Sequence, residues 1–310
     1  MLTITQKSFG GPEVLEAVEA PRPVPGATEV LVQVKAASVN PVELYIRSGA
    51  FPLIGEPPFV LGWDISGVVA EVDPGVSRFK VGDEVYGMPL FPKQAGGYAE
   101  FAVAPSRQLV RKPAGLDHVQ AAALPLAGLT AWQMLVDIAE VHPGQRVLVQ
   151  AAGGGVGHLA VQIAKARGAE VIAVASAGKH EFLRGLGADQ LIDYRAGDFA
   201  GQVREVDVVL ELVGGGTAER SLPVLRPGGI LVTAVEKAST TLPALAEQAG
   251  VRFAGVTVEP DAVGLEGLNA LVEAGQLRPY VQQTFALADA AKAHELVGTG
   301  SVQGKVVLTV

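Results

Sequence analysis

The chain has 310 residues, 49% of them apolar and 18% charged, so it can bury a large core and is long enough for about two domains. A net charge of −8 argues against a sequence-independent hold on nucleic acid, and the absence of cysteine excludes disulfides, thiolate metal sites and cysteine nucleophiles. The opening stretch MLTITQKSFG carries no apolar run of the secretory type, and a soluble cytoplasmic protein is expected.

Up to about residue 118 short strands alternate with turns. EVLVQVKAASV (29–39) alternates apolar and polar residues as a strand does, and ISGVVAEV (65–72), DEVYGM (83–88) and YAEFAVA (98–104) read as further strands. Gly and Pro punctuate them in GGP, PRPVPG, DPG and FKVGD. One short helix is predicted at PVELYIRSG (41–49), within a region that is otherwise mostly β and barrel-like. The most apolar long segment, 119–139, is interrupted by Gln120, Pro125, Gln133 and Asp137 and predicts a buried helix rather than a membrane span.

From about residue 119 the rhythm changes to strand and helix in turn. RVLVQA, EVIAVAS, QLIDY, VDVVLELV, ILVTAV and VRFAGVTV are the predicted strands. VGHLAVQIAKARG, KHEFLRGLG, TAERSLPVLRPGG (a helix and loop) and LPALAEQAG lie between them. The strands are rich in Val, Ile and Leu with few polar breaks, which predicts a parallel, doubly wound sheet covered on both faces. The tail, about 261–310, predicts a helix (GLEGLNALVEAG), a strand (VQQTF), a helix (ADAAKAHELV) and a strand (KVVLTV) that return to the first domain.

The stretch QAAGGGVGHLAVQIAK (150–165) falls between a predicted strand and a predicted helix, the context in which a Gly-rich turn has meaning. In the pattern G-x-G-x-x-G the chain supplies Ala152, Gly154 and Gly157, with Ala in the first place. Gly154 lets the backbone approach a pyrophosphate and Gly157 lets the helix close on the strand. Amides near Gly155, Val156 and Gly157 then face the phosphates. A site for NAD usually shows an acid at the end of the second strand, some twenty residues on. Here VIAVASAGKH offers Ser176 and Lys179 instead, and a hydroxyl with a cation suits a 2′-phosphate, so NADPH is the expected cofactor.

With these elements in place the sequence resembles the medium-chain dehydrogenase/reductases, and among them the zinc-independent, zeta-crystallin-like quinone oxidoreductases. The matching stretches run nearly the whole length: FGGPEVLE, VKAASVNPVELYIRSG, PPFVLGWDISGVV, FKVGDEVYG, GGYAEFAVAP, AAALPLAGLTAW, VLVQAAGGGVGHLAVQIAKARGA, LGADQLIDY, LRPGGILV and GKVVLTV. The resemblance implies a Rossmann NADPH-binding domain at 119–260 and a mostly β, GroES-like catalytic domain at 1–118 and 261–310. It also implies a homodimer, with VRFAGVTV as the pairing edge.

Zinc members of that superfamily bind their catalytic metal through a Cys, a Gly-His-Glu segment and a further Cys or Asp. Here AASVN has no Cys and the middle segment reads Gly62-Trp63-Asp64, so a metal-free site is expected. The histidines His118, His142, His158, His180 and His294 are scattered and predicted to serve at the surface or as caps. Carried over by position, Asn40 and Tyr45 match residues that line the nicotinamide and substrate pocket. Phe51 stands where some members have a second Tyr, Trp63 joins the pocket wall, and Glu43 replaces an Asp. Thr130 matches a residue near the nicotinamide, Lys179 and Tyr194 match contacts of the 2′-phosphate, and Lys305 matches a basic residue near the pyrophosphate. Each has a plainer reading beside it: Asn40 before Pro41 as a helix cap, Tyr45 as a core aromatic, Thr130 as a structural residue in a buried helix, Tyr194 as cover for a sheet edge, Lys179 as a solvated lysine.

The activity so implied is hydride transfer from NADPH to a quinone or another α,β-unsaturated carbonyl, with Asn40, Tyr45 or water meeting the charge on the carbonyl oxygen. Two other readings stay open. One is a 2-enoyl thioester reductase with Tyr45 or Tyr98 as proton donor; the other is a cofactor-binding protein with a structural or sensing role.

Overall fold

The computed structural model describes all 310 residues, which form two compact units. The first comprises Met1–Leu129, Glu259–Glu273 and Pro279–Val310; the second comprises Thr130–Val258 and Ala274–Arg278.

In chain order the first unit opens with β1 (Leu2–Gln6), β2 (Glu16–Glu19), β3 (Glu29–Val39), α1 (Pro41–Ser48), β4 (Phe59–Val60), β5 (Ile65–Val72), β6 (Glu84–Gly87), β7 (Phe101–Pro105), β8 (Leu109–Arg111) and α2 (His118–Ala122). The chain changes unit within α3 (Pro125–Trp132), after which a π-helical segment occupies Gln133–Ile138. The second unit continues with β9 (Arg146–Val149), α4 (Gly157–Ala166), β10 (Glu170–Ala175), α5 (His180–Gly185), β11 (Gln190–Asp193), β12 (Val206–Glu211), α6 (Thr217–Ser221), β13 (Leu225–Thr233), α7 (Leu242–Gln248) and β14 (Arg252–Gly255). The chain then supplies α8 (Ala262–Glu273), β15 (Val281–Ala286), α9 (Ala290–Gly298) and β16 (Lys305–Thr309) to the first unit.

The first unit is built on a seven-stranded sheet of order β15-β16-β3-β5-β6-β8, with β7 also pairing β3, and a three-stranded sheet β2-β1-β4. β3 is its spine: eleven residues long, it pairs antiparallel with β5, β7 and β16 and changes register at bulges. A bulge bends a strand and increases its twist, which lets one strand serve several partners in a curved sheet. Gly67 is needed where β5 crosses β3, because a Cβ there would strike the carbonyl of Gln33. The first unit extends to Leu129, eleven residues past the end at 118 read from the sequence. The reason is α2, which packs on β3, β5 and β16 through a small cluster of Ala36, Ala122, Ala123 and Val307. Alanine allows close approach of helix to sheet, and that contact holds the segment to the β unit.

The second unit carries a six-stranded parallel sheet of order β11-β10-β9-β12-β13-β14. Leu148, Ile172, Val174, Val209 and Leu231 from its strands bury against Ala218, Leu222, Leu242 and Ala246 from the helices. Each fully buried Leu, Ile or Val contributes roughly 1.5–3 kcal/mol. That is why these strands read as continuous apolar runs. The strand order reverses between β9 and β12, and in such sheets ligands bind beyond the carboxyl ends at the reversal.

Four short strands, β1, β2, β4 and β8, were not predicted, because two to five residues give too little alternation to read. β13 begins at Leu225, so LRPGG is strand rather than loop; Val206 pairs with Leu225 and a bulge follows. The last predicted strand, 251–258, is regular only over Arg252–Gly255. The apolar run at 119–139 is helical but breaks before Pro125, whose ring cannot continue a preceding helix. No helix is long and apolar enough to cross a membrane.

Candidate active site

In the second unit, β9 runs into a tight turn at Ala151 and Ala152. Ala151 sits at φ +47°, in the left-handed region that a residue with a Cβ enters only under strain, and its carbonyl accepts the N–H of Gly154 at 2.9 Å. Ala152 is buried, and its N–H donates to Val174 O at 3.0 Å, tying the turn to β10. α4 then starts at Gly157. A Cβ on Gly157 would strike Ala151 O and lie 2.6 Å from Ala152 Cα, so only glycine lets the helix start this close to the strand. His158 locks the turn from inside the helix, its Nδ1–H donating to Gly154 O at 2.9 Å. The amides of Gly155, Val156 and Gly157 belong to the first turn, before the intrahelical ladder is complete.

Lys179 lies over this turn. A Cβ on Gly153 would sit 2.5 Å from Lys179 Cδ, so the lysine stem occupies the space that glycine leaves. Lys179 follows β10 in a 3₁₀ turn and is half-buried. Burial, and then the charge of Arg195, hold its ammonium below the usual lysine range. Lys179 and Arg195 thus put two positive charges beside one another at the end of the second strand, where an anionic group would be favoured. Tyr194 and Arg195 follow β11, with the Arg195 guanidinium 5.6 Å from the Tyr194 ring centre and both side chains exposed. Ser176, half-buried, opens the same turn as Lys179. Arg195 escaped sequence reading because only the parallel pairing of β10 with β11 brings it near Lys179.

At the far side of the reversal, Glu211 ends β12 fully buried and fully used. Its Oε1 accepts the N–H groups of Val213 and Gly214 at 2.7 Å each, and its Oε2 accepts Thr233 Oγ1 at 2.8 Å. Thr130 is buried on α3.

The first unit contains a second constellation. Asn40 is the N-cap of α1, in extended conformation ahead of Pro41, and its N–H donates to Glu43 Oε2 at 2.8 Å. Its side chain is held at both ends. Asn40 Oδ1 accepts Lys305 Nζ at 2.5 Å, and Nδ2 donates to Asp64 Oδ2 at 2.9 Å. Asp64 also accepts Ser38 Oγ at 2.5 Å and the Leu126 N–H at 2.7 Å, and lies 3.6 Å from Lys305 Nζ. Burial pulls the Lys305 ammonium down, while Asp64 and Glu43 hold it up.

A chain of polar groups runs on from Glu43. Tyr98 donates its hydroxyl to Glu43 Oε2 at 2.6 Å; His294 Nε2 lies 3.1 Å from that hydroxyl, and Arg47 meets His294 Nδ1 at 3.1 Å. Since the tyrosine proton goes to Glu43, His294 donates from Nε2 and accepts from Arg47, which makes it a neutral imidazole. Burial, and then the charge of Arg47, push it down to about 3. Burial pushes Glu43 up to about 7, against the hydrogen bonds from Tyr98 and Asn40.

Several expectations change accordingly. Lys305, 3% exposed, is spent on Asn40, Asp64 and the carbonyl of Val39, so it is a positioning residue of this cluster rather than a pyrophosphate contact. Trp63, 1% exposed, packs edge-on against Phe91 and donates its indole N–H to Lys93 O at 2.7 Å, so it belongs to the core and not to a pocket wall. Tyr98 is buried with its proton committed, which removes it as a donor to substrate. His158 and His294 are buried, not surface residues. Tyr45, 59% exposed, keeps its phenol at the surface of α1, and Phe51 is exposed just beyond that helix.

The donor set does not fit a zinc ion. Trp63 and Asp64 stand where a ligand pair would be, the carboxylate of Asp64 is saturated by four partners, and no three His, Cys, Asp or Glu side chains gather to hold a metal. The glycine turn with Lys179 and Arg195 does fit a dinucleotide: a helix that starts tight against its strand at Gly157, helix-start amides, and two cations beside one another.

Comparison with known proteins gives matches along the whole chain. The family profile described as alcohol dehydrogenase GroES-like domain matches residues 26–114, and the one described as zinc-binding dehydrogenase matches residues 186–308. A quinone oxidoreductase from Coxiella burnetii superposes with a TM-score of 0.95 at 38% identity, covering 100% of this chain and 99% of that one. The Escherichia coli quinone oxidoreductase complexed with NADPH superposes with a TM-score of 0.91 at 32% identity, covering 100% of both. A 2-haloacrylate reductase from Burkholderia is 36% identical, with 96% of each chain covered.

Proposed function

The chain belongs to the quinone oxidoreductase family of the medium-chain dehydrogenase/reductases, and from that premise we propose that it is an NADPH-dependent reductase of quinones or other α,β-unsaturated carbonyls that works without zinc. The observation that carries the cofactor is the Lys179 stem laid over Gly153 with Arg195 beside it, at the strand end where an NAD site would place an acid. Support for a conjugated carbonyl comes from relatives named quinone oxidoreductase and 2-haloacrylate reductase.

Bound NADPH supplies the hydride. The protein's share is alignment and charge. The turn from Ala152 to Gly157 would hold the pyrophosphate on helix-start amides, Lys179 and Arg195 would neutralise the 2′-phosphate, and Thr130 would serve the nicotinamide end. As the acceptor gains hydride, negative charge grows on its carbonyl oxygen. Asn40 meets it with the second hydrogen of Nδ2, the first being fixed on Asp64. Because Lys305 pins Oδ1, the amide cannot flip and present its oxygen instead. The oxygen then takes a proton from Tyr45 or from water. A quinone is a strong acceptor, so one preorganised donor is enough where a zinc enzyme uses its metal.

The test is NADPH oxidation in stopped flow with a panel of quinones, short enones, 2-haloacrylates and 2-enoyl thioesters. We expect turnover with the quinones or enones. Turnover confined to the thioesters would reassign the substrate to acyl chains, and tight NADPH binding with no acceptor reduced would leave a binding protein in place of a reductase.

A further inference from the structure

The glycine turn takes the middle of the dinucleotide, and Lys179 and Arg195 mark its adenosine end on the β10 side. The strand order then leaves the carboxyl ends of β12 and β13 to the other riboside. Two carboxylates stand there. Glu211 has both of its oxygens answered from within the protein. Glu236, three residues past β13, does not.

Glu236 is held firmly. Its N–H donates to Thr233 Oγ1 at 3.1 Å, and its Oε1 accepts the N–H of Gly216 at 3.3 Å. The carboxylate thus clasps the loop after β12, where Gly214, Gly215 and Gly216 follow one another at φ +77°, +62° and +80°. Three successive left-handed residues present a backbone that only glycine adopts without strain. Glu236 Oε2, by contrast, is closed to solvent and meets no donor in the protein. A buried acceptor left unanswered keeps its full desolvation penalty, the more so when charged, so it needs a reason. A nicotinamide riboside brings ribose hydroxyls and a carboxamide N–H to this end of the sheet, and each is a donor.

We propose that Glu236 is a cofactor-binding residue whose Oε2 accepts a hydrogen bond from the nicotinamide riboside of NADPH. The proposal rests on the dinucleotide reading above and deepens it, since it assigns a residue to the half of the cofactor that Lys179 does not reach.

Binding of NADPH, NADH and 2′,5′-ADP to the wild type, E236Q and E236A, with thermal melting of each protein, tests it. Glu236→Gln keeps an oxygen for Gly216 and puts an NH₂ donor where Oε2 stood. We expect E236Q to bind NADPH and NADH about tenfold more weakly, with its affinity for 2′,5′-ADP and its melting temperature unchanged. E236A should lose at least as much, and is read in the same way if E236Q does not fold. Unchanged affinity for both dinucleotides would overturn the assignment. So would an equal loss for 2′,5′-ADP, which would make Glu236 a loop support alone. A wild type that binds 2′,5′-ADP and NADPH keeps the dinucleotide reading standing in either case; one that binds neither removes both.

Discussion

Lys179 shows how one side chain can carry a cofactor preference. Its stem covers Gly153, its ammonium is half-buried, and Arg195 raises the cost of its charge. A 2′-phosphate would relieve that cost, whereas a 2′-hydroxyl would not. Lys179→Ala should therefore weaken NADPH binding by roughly 10- to 100-fold, the range of one charge-assisted hydrogen bond, and leave NADH binding nearly unchanged. Equal losses for the two cofactors, read by titration, would contradict the assignment. The polar chain of the first unit makes a second prediction at this scale. Glu43 rises from 4.5 to about 7, so between those values the folded protein keeps a proton that the unfolded chain has lost, and stability falls as pH rises. His294 drops from 6.5 to about 3, so between those values the unfolded chain holds the extra proton, and stability rises with pH. The two effects oppose each other between about 4.5 and 6.5. Glu43→Gln should leave a rising profile there and His294→Gln a falling one, each by at most about 1.4 kcal/mol per pH unit, in urea unfolding followed against pH. Unaltered profiles in both variants would show that neither group titrates in this way.

At the scale of the element, the start of α4 is the position with least freedom. The helix, the strand and the turn meet at Gly157, and its missing Cβ is what lets them. Glycine in a helix costs up to about 1 kcal/mol relative to alanine, which makes its presence here a matter of space rather than propensity. Gly157→Ala should cost about 1–3 kcal/mol through forced displacement in a packed core, and should weaken NADPH binding because the helix-start amides move with the turn. Denaturant unfolding and cofactor titration measure the two effects, and a variant with wild-type values in both would show that the turn has room to spare. α1 makes a gentler case of the same logic. Its start was readable from Asn40 and Pro41, and the structure has the cap and the first-turn proline in those places, with Gly49 closing the helix in the left-handed region. The plain reading of Asn40 as a cap is correct and so incomplete: the backbone caps the helix while the amide is committed elsewhere.

At the scale of the whole molecule, the last strand decides the chemistry of the first unit. β16 inserts between β15 and β3, with Val306 opposite Val39, and so delivers Lys305 to Asn40 and Asp64. Removing one partner of a buried ion pair leaves the other uncompensated. Lys305→Met should destabilise the protein by about 3–5 kcal/mol, while Lys305→Met combined with Asp64→Asn, which removes the charge and keeps an acceptor oxygen, should recover part of that loss. Equal stability of the single and double variants by denaturant unfolding would mean that the pair is not coupled.

The sequence by itself determined what repeats at short range. Apolar runs of strand length alternating with helices gave the parallel sheet, the glycines between RVLVQA and VGHLAVQ gave the turn, and Lys179 without an acid at the strand end gave the cofactor preference. These are legible because strand burial, helix starts and glycine turns are set by residues within about twenty positions of one another. Only the tertiary structure decided the partners of Asn40, the burial of Trp63 and Tyr98, the pairing of Lys179 with Arg195, and the unanswered oxygen of Glu236. Each depends on which strands lie side by side and in what register, and a hydrogen bond of 2.5 Å between residues 40 and 305 leaves no periodic trace in a chain that must first pair β16 with β3 to make it.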